Sequence, residues 1–276
     1  MQVVVTAAGR GKRFSENGYA VPKPAVLLGQ RPAVTYLMDC FPKEWSQIFV
    51  LAEDDRASRL EKIITEKNQR AKVIYTSYSE RGPIDTVLRS LPFLKSDDAV
   101  LISYCDLALL WNPQQFAGAM QSHDMGVVTY QGFHPTYLGP NSYCHVQVEV
   151  DSNQITELQE KKLYTNDIQT EVTSAGFYYF RNKELLEKAL SAQLNQGLKH
   201  GKEYYISQAI QALLNTDKKY DVENFKVNHV LQMGAPADVE RFELWLQSFS
   251  KNDFSNDLSL NEKKYWREIF AAFKVI

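Results

Sequence analysis

Apolar residues follow two rhythms along this chain. Residues 3–6, 48–51, 73–76, 99–104 and 126–130 are nearly continuous in Val, Ile and Leu, the pattern of strands buried on both faces. Between them, Val34, Leu37, Met38 and Phe41 recur at helical spacing, a charged helix is predicted over 54–67, and Gly82-Pro83 and Asn112-Pro113 each open a further helix. Strand–helix alternation of this kind predicts an α/β fold, a mostly parallel central sheet with helices on both faces.

The second half changes style. Residues 144–150 and 154–159 alternate around the turn Asp151-Ser152-Asn153, which reads as a small β-hairpin. A strand over 175–180, helices near 182–194 and 203–214, a strand over 220–227 and a helix from Pro236 to about 249 follow. The stretch 250–261 is polar, and a last amphipathic helix is predicted from Tyr265 to Phe273. No internal repeat or low-complexity tract interrupts this order.

Charge narrows the partners. The 276 residues carry 31 Lys plus Arg against 33 Asp plus Glu, a net charge of -2, so no global field draws the protein to nucleic acid or an anionic membrane. No run approaches the ~18 apolar residues of a membrane span. Cys40, Cys105 and Cys144 are far apart and form no C-x-x-C pair, which fits a reducing cytoplasm and speaks against a disulfide framework or a zinc ribbon. His123, His134, His145, His200 and His229 show no metal-ligand spacing.

Local charge is different. Directly after the first strand comes Gly9-Arg10-Gly11-Lys12-Arg13-Phe14, and Val21-Pro22-Lys23-Pro24 follows. Glycines let backbone N–H groups approach a phosphate chain closely, and prolines on either side of Lys23 hold it extended. From Gly9 to Pro24 the cations Arg10, Lys12, Arg13 and Lys23 face only Glu16, leaving a local charge of +3. The loop is neither a Walker loop nor a dinucleotide fingerprint, because Phe14 stands at the third glycine position.

A strand, then G-x-G-x-R-F, then P-K-P resembles the sugar-phosphate nucleotidyltransferases, the NDP-sugar pyrophosphorylases and related cytidylyltransferases. The longer run through Gly18-Tyr19 and Gly29-Gln30-Arg31-Pro32 is similar to a bacterial branch associated with capsule or lipopolysaccharide. The resemblance extends with gaps over about residues 1–247. It implies a nucleotidyltransferase domain over 1–250 with a helical extension over 251–276.

The resemblance also implies site residues. Arg13, Lys23 and Asp106 would be catalytic. Ala8, Gly9, Arg10, Gly11, Lys12, Gly82, Pro83 and Thr86 would bind the nucleotide, Glu160, Lys161, Gly176 and Glu203 the acceptor, and Asp106 with Asp238 would hold Mg²⁺. The implied partners are an NTP and a small phosphorylated molecule, with self-association left open. A phosphate oxygen of the acceptor, largely a dianion near neutrality, would attack without a general base.

Departures from the family pattern bear on base and acceptor: Cys105 precedes Asp106, Lys162 follows Glu160-Lys161, the base loop reads Gly82-Pro83-Ile84-Asp85-Thr86, and Gly234-Ala235-Pro236-Ala237-Asp238 replaces Gly-Thr-Pro-Glu-Asp. On the residues alone, Asp106 also reads as a polar strand end, Asp238 as a complement to a helix N-terminus, and Glu160-Lys161 as hairpin-edge charges. The aromatic stretch Tyr130, Phe133, His134, Tyr137 and Tyr143 suits an acceptor pocket or a packing seam. Three rival functions stay open: cytidylyl transfer to a non-sugar phosphate such as phosphocholine or a phosphorylated amino-acid derivative, a glycosyltransferase of the same general fold, and a silent nucleotide-binding protein. The glycosyltransferase reading lacks its D-x-D, since Leu107-Ala108 follows Asp106.

Overall fold

A computed structural model describes residues 1–54, 57–138, 141–216, 219–254 and 259–276. Strand β1 (Gln2–Ala7) runs into the basic loop, which closes on the one-turn helix α1 (Lys12–Glu16). A ribbon of β2 (Leu27–Leu28) and β3 (Arg31–Pro32) leads to α2 (Ala33–Asp39). Then come β4 (Ser46–Ala52), α3 (Ala57–Lys67), β5 (Lys72–Thr76), α4 (Pro83–Ser90) and β6 (Val100–Tyr104). After Cys105 and Asp106 follow β7 (Leu107–Leu110), α5 (Pro113–Met120) and β8 (Met125–Tyr130). The second half holds the hairpin β9 (Cys144–Val148) and β10 (Ile155–Glu160), the long β11 (Val172–Phe180), α6 (Lys183–Gln196) and α7 (Ile206–Thr216). It ends with β12 (Val222–Lys226), β13 (His229–Gln232), α8 (Pro236–Lys251) and α9 (Leu260–Ala272). Residues 55–56 of the predicted charged helix and 255–258 of the predicted polar stretch lie outside the described residues.

The sheet runs β5-β4-β1-β6-β11, with β5, β4, β1 and β6 mutually parallel and β11 antiparallel to β6. β11 pairs with β8 from Thr173 to Phe180, and β8 is parallel to β12. The other edge of β11 is shared: residues 177–180 pair with β6, while Val172 and Thr173 pair with β9. The register shifts between Ser174 and Phe177, around Gly176, and the sheet divides there. This is the predicted α/β architecture, with one antiparallel strand inserted in its middle.

Alternation along β1 explains the two cores. Val3 and Val5 join one apolar cluster and Val4 the other, all three at 0% exposure. Helices α2, α3, α5, α8 and α9 cover the first face; α4, α6 and α7 cover the second. The last helix begins at Leu260, earlier than predicted, and buries Tyr265, Trp266, Ile269 and Phe270 in the same cluster as Tyr36 and Phe242. Two other starts bear on the site, and two strands are new. β11 starts at Val172, three residues before its predicted start. α7 starts at Ile206, so Glu203 precedes the helix it was expected to open. β7 and β13 were not predicted; they pair antiparallel, with Leu107 opposite Gln232, because four-residue strands carry too little periodicity to register.

Candidate active site

The basic loop is pinned from beneath. Phe14 is 1% exposed and meets Tyr19 edge-on at 5.1 Å, so the aromatic residue at the third glycine position anchors the loop to the core. Gly11 adopts φ +61°, and a Cβ there would lie 3.5 Å from Cβ of Lys23, so the loop rests against the Pro-Lys-Pro segment. Arg10 stacks on the Tyr78 ring at 3.9 Å. Lys12 and Arg13 are exposed beside it.

Lys23 donates from Nζ to Oδ2 of Asp106 at 2.7 Å. Burial alone would lower the Lys23 pKa, but the charge of Asp106, with that of Cys105 and the hydrogen bond, outweighs it and leaves the value raised. Lys23 is therefore a fixed cation at neutral pH. Burial pushes the neighbouring Cys105 thiol up to about 11, which makes it a packing residue and not a nucleophile.

Asp238 reaches the same place through the β7–β13 pair. Met233 N–H donates to the Asp106 carbonyl at 2.8 Å, and a Cβ on Gly234 would stand 2.9 Å from Asp106 Oδ2. Gly234 N–H and Ala235 N–H donate to Asp238 Oδ2 at 2.8 and 2.7 Å, closing the first turn of α8. The capping role and the site position thus coincide in one side chain. Burial raises the Asp238 pKa to about 6; the two backbone N–H groups pull it down, and Asp106 pushes it up again.

On the other side, Ser207 donates to Oε1 of Glu160, which is 8% exposed. Burial lifts its pKa to about 7 against the opposing pull of Ser207 and Lys161. Lys161 sits at φ +57°, a conformation rarely held by a side chain of its size, and its N–H donates to the Tyr143 carbonyl at 2.7 Å. That turn directs Nζ to the Tyr205 hydroxyl at 2.8 Å, and the hydroxyl donates to Glu203. Gly82, at φ +74°, lies under Glu203: a Cβ there would be 3.0 Å from the Glu203 Cβ.

Two adjoining cavities result. The smaller, about 390 Å³, is lined by residues 6–14, Lys23, Gly82, Pro83 and Thr86. The larger, about 800 Å³, is lined by Glu160, Lys161, Gly176, Asp238 and an aromatic wall. Arg13, Tyr104, Asp106, Glu203 and Tyr205 line both. Every residue given a catalytic, nucleotide, acceptor or metal role from the sequence lines one cavity or the other. Of the aromatic stretch, His134 and Tyr143 line the larger cavity, while Tyr130 and Tyr137 stack on each other at 6.0 Å with near-parallel planes. Burial drops the His134 pKa to about 4. Tyr104, Gln232, Arg241, Tyr265 and Trp266, which also line the larger cavity, and Ser207, which holds Glu160, were not anticipated; Tyr104 and Gln232 each stand two residues before a motif position, Asp106 and Gly234, while Arg241, Tyr265 and Trp266 carry no local signal.

Oxygen donors suited to a hard divalent ion are present. Asp106 and Asp238 open on one cavity, and the charge of Asp106 helps raise the Asp238 pKa. Among the described residues no group of three or more His, Cys, Asp or Glu collects.

The MobA-like NTP transferase domain matches residues 3–170, more than half of the chain. The chain belongs to that family. It is 23% identical to the bifunctional protein GlmU of Methanocaldococcus jannaschii over 266 residues, 95% of this chain and 58% of that protein, so it spans little more than half the relative's length. Its fold is shared with a nucleoside-diphosphate-sugar pyrophosphorylase from Vibrio cholerae (TM-score 0.71, 19% identity, 88% of this chain and 99% of that one). The inositol-1-phosphate CTP transferase of T. maritima (0.65, 18%, 94% and 97%) and a UTP-bound UGPase from Acinetobacter baumannii (0.66, 15%, 93% and 99%) share it too. Gly176, Glu203 and Asp238 lie beyond residue 170, so the larger cavity is only partly built by the matched stretch. No helix among the described residues is long and apolar enough to cross a membrane.

Proposed function

We propose that this protein transfers a nucleoside monophosphate from an NTP to the phosphate of a small acceptor. The NTP occupies the smaller cavity and the acceptor the larger. A phosphate oxygen of the acceptor bonds to the α-phosphorus, the bond from that phosphorus to the bridging oxygen breaks, and pyrophosphate leaves. The observation that carries this reading is the shared wall: Arg13 and Asp106 face both cavities, beside the Lys23–Asp106 pair.

Two polyanions must approach, so the barrier is electrostatic. Arg13 stands at the junction to hold the β- and γ-phosphates and the departing pyrophosphate. Lys23, kept charged by Asp106, faces the α-phosphate, and Lys161 is turned into the acceptor cavity toward its phosphate. Gly9, Gly11 and Gly82 let backbone approach nucleotide and base. Asp106 and Asp238 would hold Mg²⁺, which when bound neutralises phosphate charge; ligand oxygens and water would complete its coordination. The resemblance of the N-terminal motifs supports a sugar phosphate as acceptor and a place in capsule or lipopolysaccharide precursor synthesis.

The test is pyrophosphate release, crossing CTP, UTP, dTTP, GTP and ATP with sugar 1-phosphates, inositol 1-phosphate and phosphocholine. Release with one pair, lost in Arg13→Ala and Asp106→Asn while both variants stay folded, is expected. Wild-type rates in both variants, or intact-sugar transfer from an NDP-sugar, would overturn the assignment.

A further inference from the structure

The loop after β1 and the loop after β5 meet above the end of β4, the strand that lies between them in the sheet. Ala7, Leu51 and Tyr75 stand level in the parallel register, two strand spacings or about 10 Å across. Arg10 follows Ala7 by three residues and Tyr78 follows Tyr75 by three. Their side chains close the span, the guanidinium lying on the ring 3.9 Å from its centroid. Both residues line the smaller cavity, so their stack bridges the carboxyl edge of the sheet, where ligands of open α/β sheets collect.

Tyr78 differs from the other aromatic residues of this cavity. Phe14 is sunk in the core, the Tyr104 ring packs edge-on against Tyr178 at 5.8 Å, and Tyr205 is held through its hydroxyl by Lys161 and Glu203. Tyr78 is 41% exposed, and among the exposed large apolar side chains of the described residues it alone lines either cavity. Its partner Arg10 stands between Gly9 and Gly11, and a Cβ on Gly9 would meet nothing within 4 Å. Phe14 pins the loop, but Arg10 sits on a segment with room to turn, the kind of position that absorbs a hinge motion. The cavity is also polarised. Lys12, Arg13 and Lys23 line it from the N-terminal segment, whereas the Tyr78 loop and the helix it opens contribute Ser77, Ser79, Asp85 and Thr86 and no cation. A triphosphate suits the first side and a base the second.

We propose that Tyr78 is a stacking platform for the nucleobase, covered by Arg10 until a triphosphate draws the guanidinium away. The proposal rests on the reading of the smaller cavity as the NTP site. A guanidinium on an exposed ring face is a weak contact, whereas charge-assisted hydrogen bonds to phosphate oxygens are strong. The triphosphate therefore favours the displaced arrangement by its differential affinity for the two states. While the guanidinium lies on the ring, that face takes no base; once vacated it takes any base, because each has a π-face. An NTP satisfies both partners at once, phosphate for Arg10 and base for Tyr78. A ligand with phosphates alone breaks the Arg10–Tyr78 contact and gains no stacking in return.

The experiment is calorimetric titration of the full chain with Mg²⁺ present. The probes are CTP, UTP, dTTP, GTP, ATP and inorganic tripolyphosphate, and the proteins are wild type, Tyr78→Ala, Tyr78→Phe and Arg10→Gln. Tyr78→Gln replaces the alanine variant should that one unfold. Tyr78→Ala should weaken the best-bound NTP about tenfold, the scale of a lost base stack, yet bind tripolyphosphate about two- to fivefold tighter, because no contact has to be broken first. Tyr78→Phe, which keeps the ring face, should bind the NTP as wild type does, and Arg10→Gln should weaken both kinds of probe. Equal NTP affinity in Tyr78→Ala and wild type overturns the platform. A parallel loss of NTP and tripolyphosphate overturns it too, assigning Tyr78 to support of the loop, and unchanged tripolyphosphate affinity overturns the covering by Arg10. Pyrophosphate release separates this from the underlying reading. A wild type that binds NTPs through Tyr78 but never releases pyrophosphate keeps the platform and removes the transferase assignment. Turnover with an NTP KM unchanged in Tyr78→Ala does the reverse, and a wild type that binds no NTP removes both.

Discussion

Lys23 and Asp106, 83 positions apart in the chain, are joined by a 2.7 Å charge-assisted hydrogen bond at the meeting point of two cavities. The carboxylate keeps the lysine protonated, and the ammonium holds the carboxylate oriented. Asp106→Asn and Lys23→Met should each lower kcat by ~10²-fold or more, the scale of a lost transition-state stabiliser. The double variant should fall by much less than the product of the singles, because the pair acts as a unit. Steady-state pyrophosphate release across the four proteins measures this, and full additivity would show two independent groups.

Gly176 is where β11 shifts register, and its environment admits no side chain. Its φ is +70°, and a Cβ would fall 2.4 Å from Cδ1 of Leu107 and 3.0 Å from the Tyr104 ring. Gly176→Ala should destabilise the fold by roughly 2–4 kcal/mol from backbone strain plus overpacking. Adding Leu107→Ala relieves the contact but not the φ, so chemical denaturation should show part of the loss recovered. A single variant as stable as wild type would mean that β11 relaxes at no cost.

Tyr205 couples the two cavities through its hydroxyl, which accepts from Lys161 and donates to Glu203. Tyr205→Phe keeps the ring and frees both partners. The acceptor KM should rise several-fold as Lys161 loses its orientation, with the melting temperature within a few degrees of wild type because the side chain is only part-buried. Unchanged kinetics would assign Tyr205 to packing.

Glu160 makes stability depend on pH. Folding raises its pKa from an ordinary 4.5 to about 7, chiefly by burial. The folded state therefore holds the proton more tightly than the unfolded chain, and this group's contribution is full below about pH 4.5 and is lost as pH rises through 7. The difference is on the order of 3 kcal/mol for this 8%-exposed side chain. Glu160→Gln, still able to accept from Ser207, should flatten the stability profile between pH 4.5 and 7 and gain stability relative to wild type at pH 8. Equal pH slopes in the two proteins would place the raised titration elsewhere.

The order of strands and helices was legible because burial on both faces of a parallel sheet leaves a local signature. The triple Val3-Val4-Val5 feeds two cores at once, as a strand covered on both faces must. The loop after it was legible for the same local reason: glycines, a buried Phe14 and a lysine between prolines act within a few residues of one another.

Tertiary structure decided the rest. That Asp106 and Asp238 share a cavity depends on β7 and β13, two short strands whose pairing no periodicity announces. That Arg241 and Trp266 face the same cavity depends on where α9 packs, which is settled by Tyr36, Phe242 and Phe270 in a distant core. Sequence encodes local geometry residue by residue, but a site assembled from positions 6 to 266 exists only once the chain has closed on itself, because its defining distances are not distances along the chain.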